Sequence, residues 1–210
     1  MHDLTIETIR INGGRLCLDF VNTRTYRGSG ENREFLLGFA DLVHWGKREA
    51  LIENPEAKAL LELAACHSSD AQRALVDAHA FRTTLRSLFE PGVTKARLER
   101  ALVDLSAATL TNASSLHLEI RGNAIRFTPA AAFDTWLIGP LAISALALAT
   151  SPERSQIRAC PGEDCHWLFL DQSRNGTRRW CSMDSCGSKA KARTHYDVHR
   201  RPQRQPDIAS

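Results

Sequence analysis

The hydrophobic positions in the first half of the chain recur mostly at helical spacing. Phe35, Leu36, Phe39, Leu42, Val43 and Trp45 form one stripe, which predicts a helix over 34–53. Asn54-Pro55 interrupts it, and Pro55 suits the first turn of a second helix over 55–67. A third helix is expected from Ser68 up to Pro91-Gly92. Asp70 or a preceding serine is placed to cap it, and Leu75, Ala78, Leu85, Leu88 and Phe89 make its apolar face. A fourth, over about 94–109, carries Leu98, Leu102 and Leu105 on one side.

The period then changes. Leu116, Leu118 and Ile120 alternate with polar residues, and Ile125 and Phe127 follow a Gly122-Asn123 turn, which is the pattern of a β-hairpin. The stretch 132–150 is apolar on nearly every side, so it reads as the central helix of the body. Its run WLIGPLAISALALA is too short, and too broken by Gly139 and Pro140, to span a bilayer. SPERSQ marks a polar joint. The expected architecture is a mainly α N-terminal domain with a small β-hairpin over 1–152. A small C-terminal module over 153–203 follows, then a flexible tail at 204–210.

Composition adds three constraints. The chain has 210 residues, 43% of them hydrophobic, enough for one ordinary core and a small appendage. The first residues lack the basic-then-apolar pattern of a signal peptide, so the expected compartment is the cytoplasm, where thiols stay reduced. The net charge of +3 is unevenly spread. From His166 to Arg204 nine basic residues face three acidic ones, a surplus of six, and the remainder is mildly acidic. Such asymmetry suggests two jobs in two places.

The chemistry concentrates in CPGEDCHWLFLDQSRNGTRRWCSMDSCGSKAKAR. Cys160 and Cys165 form one C-x4-C pair and Cys181 and Cys186 another, with fifteen residues between the pairs. Two short-range pairs joined by a turn-bearing segment suit a tetrathiolate zinc site. Trp167 to Leu170 reads as a strand, Arg174-Asn175-Gly176 as a turn and Arg179 to Cys181 as a return strand. A disulfide reading is disfavoured by the compartment and a redox reading by the absence of C-x-x-C. A rival set pairs Cys181 and Cys186 with His195 and His199, but only eight residues separate Cys186 from His195, and Cys160 and Cys165 are orphaned. Four thiolates leave no open coordination position, so the metal is read as structural and the protein as no enzyme. It would fold a module of about 45 residues, with Trp167, Phe169 and Trp180 as its small core. Cys17 and Cys66 read as buried core thiols.

The basic residues around this cluster are candidates for nucleic-acid contact: Arg174, Arg178 and Arg179 at the turn, then Lys189, Lys191, Arg193 and Arg200 on a helix after Cys186. In the body, Asp19, Asn22 and Thr23 stand inside the apolar LCLDFVNT and need partners. Capping or buried hydrogen bonding is the plainer reading. The sharper one is a ligand pocket shared with Arg24 and Trp45.

The C-terminal segment closely resembles the CGNR zinc-finger domain of bacterial proteins, through its cysteine pairs, W-L-F-L-D, S-R-N-G-x-R-R-W-C-S-M and C-G-x-x-x-K. GGRLCLDFVNTRTY resembles the L-D-F-V-N-T segment that opens the ABATE domain. The resemblance implies a stress-related transcriptional regulator with a helical, sensing N-terminal domain and a DNA-binding treble-clef-like zinc module. It carries the metal ligands over to Cys160, Cys165, Cys181 and Cys186. The signature C-G-N-R reads Cys186-Gly187-Ser188-Lys189 here, which replaces a bidentate guanidinium by a point charge. Expected partners are DNA and a small-molecule or protein effector, with no membrane. The oligomeric state is left open, a homodimer included. The alternatives are a zinc-stapled protein adaptor and an RNA-binding protein, the latter favoured if Trp167 or Phe169 is exposed for stacking.

Overall fold

The computed structural model describes residues 4–26, 31–113, 116–121, 124–129, 133 and 135–200. The 204–210 tail and the Gly122-Asn123 turn lie outside them. The helices are α1 (Leu16–Val21), α2 (Phe39–Arg48), α3 (Asn54–Cys66), α4 (Ser68–Phe89), α5 (Lys95–Ala113), α6 (Thr135–Thr150) and α7 (Ser188–Arg200). Strands β1 (Leu116–Arg121) and β2 (Ala124–Pro129) pair antiparallel with Leu118 opposite Phe127 and Ile120 opposite Ile125, the expected hairpin. The fold is mainly α, as the periodicity indicated.

One helix start and one helix cap differ from expectation. Helix α2 begins at Phe39 rather than at 34. The Asp41 carboxylate accepts the main-chain N–H groups of Leu37 (2.8 Å) and Gly38 (2.9 Å), which closes the N-terminus there. Phe35 and Leu36 are buried from an extended segment, with Phe35 N–H donating to Thr23 O (3.1 Å). Neither Asp70 nor a serine caps α4; the chain turns at His67, and Asp70 pairs with Arg73 instead.

The sequence pattern indicated no element at LCLDFV, because a six-residue helix buried at five positions has no polar face to mark its period. This is α1, and it packs against both α4 and α6. Cys17, Leu18, Phe20 and Val21 from α1 and Leu141, Ala142 and Ala145 from α6 are all fully buried. Trp45 stands edge-on to Phe20 with centroids 4.9 Å apart. The seat of the Trp136 ring against α2 depends on Gly46, where an added Cβ would lie 2.4 Å from that ring.

After α6 a 3₁₀ turn (Pro152–Gln156) leads into β3 (Ile157–Ala159), which pairs antiparallel with β4 (Leu168–Leu170). This corrects the expected hairpin. Strand 168–170 pairs backwards across the first cysteine pair, and no strand forms over 179–181. The core is continuous: Trp167, Leu168, Phe169 and Leu170 join the buried cluster of the body.

Gly46→Ala should destabilise the chain by about 1–3 kcal/mol through overpacking against Trp136. The check is a lower urea midpoint at unchanged slope.

Candidate metal centre and the surface around it

The first cysteine pair sits in the knuckle that joins β3 to β4. Cys160 N–H donates to Trp167 O (2.8 Å) and Cys165 N–H to Gly162 O (3.0 Å), closing a tight turn. His166 then takes φ +52, a left-handed conformation that reverses the chain into β4. Cys181 follows the loop after β4. Cys186 lies in a π-helical turn (Met183–Gly187) that runs directly into α7.

The four Sγ atoms lie within 4.8 Å of one another, with Cys165–Cys181 at 3.5 Å and Cys181–Cys186 at 3.7 Å. Thiolates at about 2.3 Å from a tetrahedral zinc are about 3.8 Å apart, so the set fits that ion. All six cysteines are free thiols. Hydrogen bonds from Cys165 and the other two thiols hold Cys160 far below the ordinary thiol range, and bonds to Cys160 push Cys165 and Cys181 up. Four sulfurs this close cannot all ionise without a cation among them. The cluster is a site for one structural zinc. His195 is exposed on α7 and stands outside the cluster, which removes the Cys₂His₂ alternative.

The body grips the main chain of this centre directly. The Asn22 side chain spans β4 like a missing strand: its Nδ2 donates to Leu168 O (2.8 Å) and its Oδ1 accepts from Leu168 N–H (2.9 Å). Gly13 O accepts from Leu170 N–H (2.8 Å). Tyr26 N–H donates to Cys165 O (3.1 Å), Arg86 to His166 O (2.6 Å) and Asn12 Nδ2 to Cys181 O (2.8 Å). Trp167 Nε1 donates to Arg24 O (3.0 Å). Asn12, Tyr26 and Arg86 carry no sequence signal for this role, because their partners are main-chain atoms 80 or more residues away.

The five residues proposed for a pocket are mostly scaffold. Asp19 Oδ1 accepts from Gly13 N–H (2.7 Å), Asn22 is committed to β4, and Thr23 Oγ1 donates to Phe20 O and accepts from Arg82. Arg82, itself buried, also forms a two-pronged ion pair with Glu34. Trp45 is buried against Phe20 with its indole N–H unpaired. Arg24 lies beside the Tyr26 ring, 5.9 Å from its centroid. The pocket reading is corrected for Asp19, Asn22 and Thr23: their polar atoms hold the chain in place. Cys66 is likewise corrected; it is exposed at the end of α3, whereas Cys17 is fully buried.

Among the basic residues, Arg178 must be reassigned. Its guanidinium stacks 4.5 Å from the Phe169 centroid and donates to Trp180 O (3.1 Å) and Cys181 O (2.5 Å). Asp171 seats it from the other side, accepting from the main-chain N–H of Arg178 (3.0 Å). Arg178 therefore braces the second cysteine pair. Arg174, Arg179, Lys189, Lys191 and Arg193 are exposed. Arg200 belongs to α7, but its side chain lies outside the described residues.

Two adjoining clefts run beside α7. One, of about 340 Å³, is lined by Arg179, Lys189 and Arg193 with Glu163, Asp164 and Cys186. The other, of about 460 Å³, is lined by Arg179, Lys191 and His195. Trp180 stands between them, with Arg179 5.2 Å over its ring. Arg193 forms an ion pair with Glu163. Trp167 and Phe169 are 7% and 0% exposed, so neither offers the stacking platform that would favour RNA.

Residues 14–152 match the family model ABATE, described as "Putative stress-induced transcription regulator". Residues 156–199 match the model of the CGNR zinc finger. No curated protein matches the chain.

Asn22→Ala strands both main-chain polar groups of buried Leu168. It should cost about 2 kcal/mol and weaken zinc retention, read by urea unfolding and chelator competition. Burial pushes the Asp19 carboxyl up to about 6 from 3.8. Its contribution to stability is therefore complete below about pH 4 and is lost as pH rises through about 6. Asp19→Asn should remove on the order of 3 kcal/mol of that pH dependence, seen by comparing urea midpoints at acidic and alkaline pH.

Proposed function

The chain belongs to the ABATE family and carries a CGNR zinc finger, and from this we propose a DNA-binding transcriptional regulator whose helical body is its sensing part. The observation that carries the reading is the exposed basic set beside α7, seated on a metal-braced turn. Arg179, Lys189 and Lys191 project around the clefts and Arg174 stands on the preceding turn. Phosphate oxygens are the chemistry that such separate cations suit.

The departure from the family signature sharpens this. Ser188 Oγ donates to the carbonyls of Asp184 and Ser185 (3.0 Å each), so it closes the π-turn where α7 begins. Lys189 is left exposed on the cleft wall. A lysine there serves a phosphate better than it reads a guanine edge, so the proposed binding is of low sequence selectivity. Glu163 and Asp164 line the same cleft and four thiolates around zinc add about −2, so the positive field is local and modest.

The sensing role rests on the direct bonds from Asn12, Tyr26 and Arg86 to the cysteine-bearing segments. A change in the body reaches the basic surface through these bonds, with no flexible linker between them. A closed tetrathiolate site has no position for a substrate, and we propose no catalytic role.

The test is fluorescence anisotropy with duplex DNA across a salt series. About four phosphate contacts predict a slope of log K against log salt near −3 to −4, and Arg179→Ala or Lys191→Ala should each reduce it by about 1. Arg178→Ala should instead lower zinc retention. Absence of binding by zinc-loaded protein at low salt would overturn the reading. Unchanged binding of a protein partner after the basic residues are neutralised would establish the adaptor. Selection from a random DNA pool reads the selectivity.

A further inference from the structure

The metal centre is not equally shielded at its four cysteines. Cys160, Cys165 and Cys181 are 0%, 8% and 2% exposed, whereas Cys186 is partly open to solvent. Cys186 lines the 340 Å³ cleft, beside Lys189 and Arg193 from the first turns of α7. Cys165 also reaches that cleft but is nearly covered. Opposite Cys186 the wall is Gly162, where even a methyl group would come within 3.1 Å of its sulfur. A small reagent meets Cys186 first.

We propose that Cys186 is a modification site, the sulfur at which a hydroperoxide from outside the protein opens the metal centre. The Cys186 thiolate attacks the peroxide oxygen. An S–O bond forms, the O–O bond breaks, and the leaving alkoxide or hydroxide takes the electron pair and a proton from water. Lys189 and Arg193, the latter paired with Glu163, line the cleft in which that negative charge develops. Cys181, its sulfur 3.7 Å away, then displaces hydroxide from the sulfenic acid to form a disulfide. Two thiolates are oxidised by two electrons and one peroxide is reduced. The centre loses two of its four ligands, and with them its hold on the ion.

The consequence is directional. Cys181 O is the acceptor for both Asn12 and Arg178, and Cys186 sits in the turn that seats α7. Oxidation at this pair therefore unseats the surface side of the module, while Cys160 and Cys165 stay packed on β3 and β4. The inference concerns the thiols and stands whether or not the basic surface binds DNA.

The experiment uses the full chain, zinc-loaded, with Cys66→Ser to remove the other exposed thiol. Hydrogen peroxide is added, samples are quenched with N-ethylmaleimide, and mass spectrometry follows each cysteine while a chromogenic chelator reports zinc. The expected result is loss of Cys186 labelling before that of Cys160 and Cys165, with Cys181 lost only as a Cys181–Cys186 disulfide, and zinc release in step with it. Cys186→His, which retains four ligands, should release zinc at least about tenfold more slowly. Should that variant fail to hold zinc, the order of modification in the parent decides. Earlier or equal modification of Cys160 or Cys165, loss of Cys181 labelling without a Cys181–Cys186 disulfide, or no modification of any ligand, would overturn the proposal.

Discussion

A strand of three residues has to be paired on both edges because it is buried on both faces. Leu168, Phe169 and Leu170 are each 0% exposed, so no water reaches their peptide groups. Strand β3 supplies one edge. The other comes from the body: the Asn22 carboxamide on Leu168 and Gly13 O on Leu170. This places α1 against β4 and sets where Cys165 emerges. It also accounts for LCLDFVNT, whose asparagine does the work of a peptide unit, while its aspartate holds the Gly13 N–H in reach.

The zinc module is consequently no independent finger on a tether. Main-chain acceptors at two of the four ligand positions, Cys165 and Cys181, are occupied by donors from the body or from Arg178, and one hydrophobic cluster runs through both. Zinc contributes local closure, and the body contributes the strand edge and the packing of Trp167 against Phe35. The coupling is a physical basis for communication in either direction, since displacement of β4 moves the cysteines and loss of the metal frees the loop braced by Arg178.

Electrostatics limits what the exposed surface can do. The surplus of positive charge in the C-terminal segment is smaller at the clefts, because Glu163 and Asp164 come from the first cysteine pair and Arg193 is already paired with Glu163. A few phosphate contacts fit this surface better than a long charged track.

The sequence by itself determined the helical character, the hairpin register and the four ligands. Periodicity is a local property, and C-x4-C pairs bring thiols together through local turns. It also carried the family resemblance, which the matches over 14–152 and 156–199 bear out. Only the tertiary structure decided that α1 is a helix, since a wholly buried segment has no polar side to reveal a period. Only it decided that β4 pairs with β3, because a three-residue strand can satisfy its ladder on either side. And only it separated Arg178 from Arg179. Adjacent arginines are alike in sequence, and the difference lies in which of them the folded loop turns toward the Phe169 ring and the Trp180 and Cys181 carbonyls.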